Sequence, residues 1–367
     1  ACAKPPSFKR PTGASALPGK TDKPLGDDLK GGVSTDGYTK LNCEDPNTHR
    51  GIRAWRRLSN AEVIQTAQEV FGLPASVDLS QLLNDIPKKE AFDTVLIREN
   101  FMEGNRLKAY FTFAEAISSA ADLAQIFPCL AEGASCVKSR VADIGSLAWR
   151  RPLTTEETAA FSELYQGFLT DKASPQEAAR FLLQAMVMSP NFLYRSELGK
   201  QLPNGEYELD SWEIASALSY LIWRRPPDQQ LRDLAKADRL RDSAAIAMEA
   251  KRLLADPKAK EAMREFGGMW LDGNRILSTV KMNPQFSDQV KLSMANEVKD
   301  FFAHTMFDAK SPTYTQLLSA NYSVSEPSLS WLYKSTKNAE GVVPFNEEQR
   351  RGILGQGAFL SSHSFPD

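Results

Sequence analysis

Four times along this chain a helix-capping residue is followed three positions later by glutamate: Ser59 with Glu62, Thr154 with Glu157, Ser174 with Glu177, and Asp210 with Glu213. Such a pair bonds reciprocally, the cap side chain to the third helical N–H and the carboxylate back to the cap N–H, so each one marks a helix start. Pro175 adds the favoured first helical position. Asp228 and the Asp256-Pro257 pair open two more helices by the same logic. The apolar spacing agrees. Trp212, Ala215, Leu218, Ser219 and Ile222 share one face, as do Met263, Phe266, Met269 and Trp270, and then Val290, Met294, Val298, Phe301 and Phe302. No run of alternating β-branched residues with Asn-Gly or Asp-Gly turns stands at strand spacing, so little sheet is expected. The fold class is mainly α.

The helical texture begins at Trp55. Residues 1 to 50 hold six Pro and six Gly with no apolar period, which reads as an irregular N-terminal arm over 1–54. The break at Gln201-Leu202-Pro203-Asn204-Gly205 divides the rest into a first helical domain, 55–203, and a second, 204–367. A less regular stretch is expected from Ser311 to Asn346, before a last helix or turn at Glu347.

Composition narrows the partners. Lys and Arg number 44 against 46 Asp and Glu, a net charge of −2, so no global field draws the chain to nucleic acid or acidic lipid. The longest stretches without Asp, Glu, Lys or Arg, Phe181 to Tyr194 and Gly352 to Pro366, fall short of the ~18 apolar residues of a membrane span. Ala1 followed by Cys2 reads as the product of signal-peptide removal, hence a periplasmic, extracellular or cell-surface protein. Four cysteines without a C-x-x-C then read as two disulfides, Cys129 with Cys136 and Cys2 with Cys43. Lipidation of Cys2 is the rival reading, but a lipoprotein's mature chain begins at the cysteine itself.

Several familiar motifs fail. Gly13 to Thr21 has five residues between its glycines where a phosphate loop has four. Gly352, Gly355 and Gly357 stand in the wrong order for a dinucleotide turn and read as close backbone packing. H-E-x-x-H, G-x-S-x-G and C-x-x-C-H are all missing. The three histidines, His49, His304 and His363, cannot make a His-rich metal site, and no metal is expected. His304 reads as a surface or cap histidine. Ser362, His363 and Asp367 form a polar tract of the residue types used in nucleophilic catalysis, although structural hydrogen bonding is the favoured reading.

One tripeptide recurs: Trp55-Arg56-Arg57, Trp149-Arg150-Arg151 and Trp223-Arg224-Arg225, each before a turn and a new helix. Paired guanidiniums beside an aromatic ring suit cation–π stacking and bidentate carboxylate binding. Internal clamps are favoured. Arg150, Arg151, Arg224 and Arg225 are kept as candidates for binding an anionic cofactor group.

These pieces together resemble a known group, the large exported proteins of planctomycetes, myxobacteria and related bacteria. Those are built of tandem domains of unknown function and are often associated with c-type cytochrome modules. The resemblance runs through Arg56 to Glu62 with Val70-Phe71-Gly72, through Trp149 to Glu157, and through Ser189-Pro190-Asn191-Phe192-Leu193-Tyr194-Arg195 with Ile214 to Trp223 and Leu253 to Pro257. It ends in Arg351 to Leu360. It implies the helical N-terminal part of an exported redox protein acting with a c-type haem segment or partner chain. In that family the last block continues past Ser-His-x-x-Pro-Asp into a region with C-x-x-C-H. The second domain is therefore expected to be truncated or cleaved after Asp367, with no cofactor in this chain and the haem in a C-terminal part or a second polypeptide. The Trp-Arg-Arg arginines would then face haem propionates. The alternative is a non-catalytic module of a cell-surface or periplasmic assembly. Hydrolysis by Ser362 and His363 is a third, weaker reading.

Overall fold

The capping pairs set out the helices. In the computed structural model, which describes residues 56–82, 92–93, 104–203, 207–309, 312–346 and 349–364, all four boxes close reciprocally at the starts of four helices. Asp228 and Asp256 cap two more. Helices α1 (Asn60–Phe71), α2 (Gly104–Ala120), α3 (Leu123–Ile126), α4 (Ala134–Ala148), α5 (Thr155–Thr170), α6 (Pro175–Met188) and α7 (Pro190–Leu193) surround a first core. There Tyr110, Phe113, Leu182 and Phe192 are sealed from solvent. A second core lies among α8 (Ser211–Ile222), α9 (Gln229–Lys236), α10 (Ser243–Ala255) and α11 (Pro257–Trp270). The third is built on α12 (Arg275–Ser278), α13 (Asp288–Phe307), α14 (Tyr314–Ser319), α15 (Ser330–Tyr333) and α16 (Gly357–His363). The described residues form one compact, mainly α unit, and no helix among them is long and apolar enough to cross a membrane.

Strand is confined, among the described residues, to two-residue antiparallel pairs. Strand β1 (Arg56–Arg57) pairs with β2 (Tyr194–Arg195), Arg56 opposite Arg195 and Arg57 opposite Tyr194. Leu58 N–H extends the pairing to Leu193 O at 2.8 Å. This short ladder fixes the end of α7 beside the start of α1. Strands β3 (Lys200–Gln201) and β4 (Tyr207–Glu208) pair across the expected break near 204, and β5 (Tyr322–Ser323) with β6 (Val343–Pro344) in the stretch read as irregular.

The apolar face read on α11 is buried only in part: Met263 packs against the third core, and Phe266 and Trp270 lie against the Phe302 ring. Phe266 and Trp270 stay 36% and 44% exposed, while Ala259, Ala262, Gly267 and Gly268 face inward. A side chain at Gly267 would run into the Phe302 ring, and one at Gly268 into Lys299. The two glycines let α13 approach closely, and the aromatics move to the rim, where Phe266 stacks on Phe92 at 5.4 Å. Of the glycines of the last block, Gly352 and Gly355 pack on backbone, whereas Gly357 meets the Leu332 side chain. Gly352, at φ +48°, lies against the carbonyls of Leu317 and Leu318 and donates to Ala320 O at 2.7 Å. Glu347, where a last helix or turn is expected, lies outside the described residues; the N–H groups of Gln349 and Arg350 turn back to Asn346 O at 3.0 Å, and the last helix starts at Gly357.

Cys129 and Cys136 are joined, closing a short loop that runs into the first turn of α4. Cys2 and Cys43 lie outside the described residues. Chain-entropy arithmetic for so short a loop gives about 2–3 kcal/mol of stabilisation. Replacing both Cys129 and Cys136 with serine is expected to lower the unfolding free energy from urea melts by that amount, with a matching fall in the midpoint. A midpoint unmoved by the double substitution, or by reductant on the parent, would show the bond to be dispensable.

Candidate functional site

Two of the three Trp-Arg-Arg tripeptides are described in full, and they fold alike. Trp149 and Trp223 each cap the C-terminus of a helix, α4 and α8, with their N–H on the carbonyl four residues back. The next residue turns left-handed, Arg150 at φ +59° and Arg224 at φ +57°. For a residue with a Cβ that conformation costs about 1 kcal/mol or more, which guanidinium bonds offset. Arg150 donates to four backbone carbonyls, those of Ala148 (3.0 Å), Asn191 (2.7 Å), Phe192 (3.2 Å) and Tyr194 (2.8 Å). It thereby ties the end of α4 to α7 and β2. Arg151 makes a fork to both oxygens of Glu157 at 2.8 Å, the same carboxylate that closes the capping box of α5. That fork is the largest influence holding the Glu157 carboxyl below its ordinary range.

In the second turn, Arg224 bonds Asp93 and the Ser59 cap of α1. Arg225 bridges Glu69 of α1 (3.0 Å) and Glu261 of α11 (2.7 Å). Trp223 Nε1 donates to Leu253 O, and Lys258 stands 4.7 Å from its ring centroid. Of the first tripeptide, Arg57 is buried and donates to Tyr110 Oη at 2.8 Å, and Trp55 lies outside the described residues.

The turns meet at a buried ionic cluster. Glu62, whose carboxylate closes the α1 box, is 3% exposed. Burial pushes its carboxyl up, while Arg224 and Arg195 pull it back. Burial likewise lowers the Arg195 guanidinium, which stands 5.0 Å from the Tyr220 ring centroid. Tyr220 Oη and Thr66 Oγ1 are 2.6 Å apart. Above this cluster lies a cleft of about 200 Å³ lined by Trp149, Arg150, Arg151, Asn191, Tyr194, Arg195, Asp210, Trp212, Glu213 and Ser216 among others. Arg224 and Arg225 do not line it.

Two stretches of the chain supply those walls, and each falls within a recognised family model. Residues 136–197 match the model described as PSD5: Protein of unknown function (DUF1595), and residues 209–334 match PSD4: Protein of unknown function (DUF1592). The chain carries two tandem domains of unknown function. No curated protein and no solved structure matches it. The cleft is thus a junction: Trp149 to Ser196 come from the PSD5 stretch, Asp210 to Ser216 from the PSD4 stretch. Such junctions are common places for ligands.

The other residues singled out in the sequence lie apart from the cleft. His363, at the exposed end of α16, has Nδ1 2.9 Å from Phe359 O and its ring on Phe359 at 4.5 Å. Ser362 is half-buried one residue before it, and Asp367 lies outside the described residues. His304 closes the last turn of α13, with Nδ1 3.3 Å from Asp308. No group of three or more His, Cys, Asp or Glu among the described residues is placed to hold a metal.

The sequence reading passed over a second polar core. Glu297 of α13 is 1% exposed and accepts from Ser323 Oγ and Tyr333 Oη, each at 2.6 Å. Tyr333 Oη in turn accepts Gly357 N–H at 2.8 Å, at the start of α16. Burial pushes the Glu297 carboxyl up to about 7. The signal was present: Glu297 sits three residues after Met294 and four before Phe301, inside the apolar stripe of its helix.

Proposed function

We propose that this chain is the rigid helical support half of an exported redox protein, acting with a c-type haem segment or a partner chain. The observation that carries the support role is the use of the two Trp-Arg-Arg turns. Their four guanidiniums go to carbonyls, carboxylates and the Ser59 hydroxyl of the chain itself, and they lock α4 to α7 and α8 to α1 and α11. The sequence resemblance supplies the redox partner, and the Cys129–Cys136 bond suits an oxidising compartment.

The described cysteines form a disulfide and the chain has no C-x-x-C-H, so its residues do not fit covalent haem attachment. The haem in this reading belongs to the partner, and this chain supplies a preorganised surface beside it. A visible absorption spectrum of natively purified material is expected to show a Soret band that travels with a second polypeptide. A partner that co-purifies without any Soret band would remove the redox part and leave a non-catalytic assembly module.

A further inference from the structure

The two Trp-Arg-Arg turns differ at one atom. Trp223 Nε1 donates to Leu253 O, whereas Trp149 Nε1 has no partner although the residue is only 8% exposed. Two more orphans belong to side chains lining the same cleft, Arg195 Nε on a residue 5% exposed and Ser216 Oγ on one 7% exposed. Leaving such a buried group unpaired costs about 1–3 kcal/mol. The three side chains line the cleft, so a group that enters it is placed to pair them. It must offer several oxygen acceptors close together.

Charge and free acceptors decide the class. Arg150, Arg151 and Arg195 share the lining with Asp210 and Glu213, and Glu157 and Glu197 stand 2.8 and 3.7 Å from Arg151 and Arg195. The cations are offset by carboxylates, so an anion gains no net attraction there. Glu213 is saturated by the N–H groups of Leu198, Gly199 and Asp210 at 2.9–3.2 Å. Asp210, by contrast, caps α8 through Oδ1 alone among the described residues, which leaves Oδ2 to accept an O–H. A neutral ligand with neighbouring hydroxyls meets both demands, accepting from the orphan donors and donating to Asp210. The cleft, about 200 Å³, is smaller than the roughly 300–1,000 Å³ of drug-sized sites and suits a single ring, with Trp212 and Tyr194 among its walls.

We propose that the junction cleft binds a neutral polyhydroxylated ring of monosaccharide size through Trp149, Arg195, Ser216 and Asp210. This inference is independent of the redox partner. Saturation-transfer NMR on the full chain, with the methyl glycosides of glucose, galactose, mannose and N-acetylglucosamine as probes, is expected to show saturable binding of at least one, with Kd about 1 mM. Ser216→Ala is expected to weaken that glycoside about tenfold. Asp210→Asn retains the helix cap, since Asn caps as well as Asp, and is expected to weaken it by a similar factor with thermal unfolding unchanged. The proposal is overturned by no saturable signal from any of the four, or by binding indifferent to both substitutions. It is equally overturned if acetate or inorganic phosphate binds in preference to every glycoside and is tightened by Asp210→Asn.

Discussion

Replacing Arg150 with alanine is expected to cost about 4–5 kcal/mol, a third or more of the stability of an ordinary domain. The guanidinium is 4% exposed and donates to the carbonyls of Ala148, Asn191, Phe192 and Tyr194. A hydrogen bond to a charged group contributes about 1.5–3 kcal/mol, and an acceptor left buried without a donor loses its own solvation as well. Alanine would also keep the left-handed backbone of φ +59°, so Arg150→Gly should recover about 1 kcal/mol of the loss. Lysine offers one point charge in place of a planar fork and should recover no more than half. Urea unfolding of the three variants checks this. If alanine cost under about 1 kcal/mol, Arg150 would be a surface residue in energetic terms and the clamp account would fail.

The second large effect is a pH dependence. Glu297 titrates at about 7 in the folded protein against the ordinary 4.5, because burial disfavours its charge more than Ser323 and Tyr333 stabilise it. The folded state therefore holds a proton that the unfolded chain has released. The burial penalty is absent below pH 4.5 and grows as pH rises through the window to about 7. By then it amounts to roughly 3 kcal/mol, at about 1.4 kcal/mol per pH unit. Burial raises Glu62 in the same direction, so the informative quantity is the difference from Glu297→Gln, which removes one titration and leaves the other. Urea melts of parent and variant between pH 4.5 and 8 should diverge, the parent losing about 3 kcal/mol more. Parallel curves would show that Glu297 does not titrate in that range.

Much of the helical frame is legible in local sequence because capping is local chemistry. Ser59, Thr154, Ser174 and Asp210 each find their glutamate within one turn, and no tertiary contact is needed to close the box. The expected bond between Cys129 and Cys136 forms across a similarly short span. The partly exposed apolar face of α11 shows where local pattern stops. Helical spacing puts Phe266 and Trp270 on one face, where they lie against Phe302, but Gly267 and Gly268 make the tighter seat for α13, and closeness of approach decides which positions are buried most deeply.

The candidate site was only half visible for the same reason. The Trp-Arg-Arg repeat could be seen, but not that its middle arginine would be left-handed, nor that Arg150 would reach carbonyls more than 40 residues away. Ser216 and Arg195 reach the cleft through the β1–β2 pairing and the docking of α8, both long-range events. Glu297 was hidden differently. A carboxylate on an apolar stripe reads as a break in the pattern until Ser323 and Tyr333, brought in by β5 and α15, supply its donors.

Intact mass spectrometry of material purified under native conditions, run oxidised and reduced, bears most directly on the claim that this braced helical unit serves a haem-bearing partner. The account predicts two polypeptides, with covalent haem on the second and none on this chain, and a gain of two hydrogens on this chain for every disulfide reduced. A single polypeptide without haem, or haem attached to this chain, would contradict it.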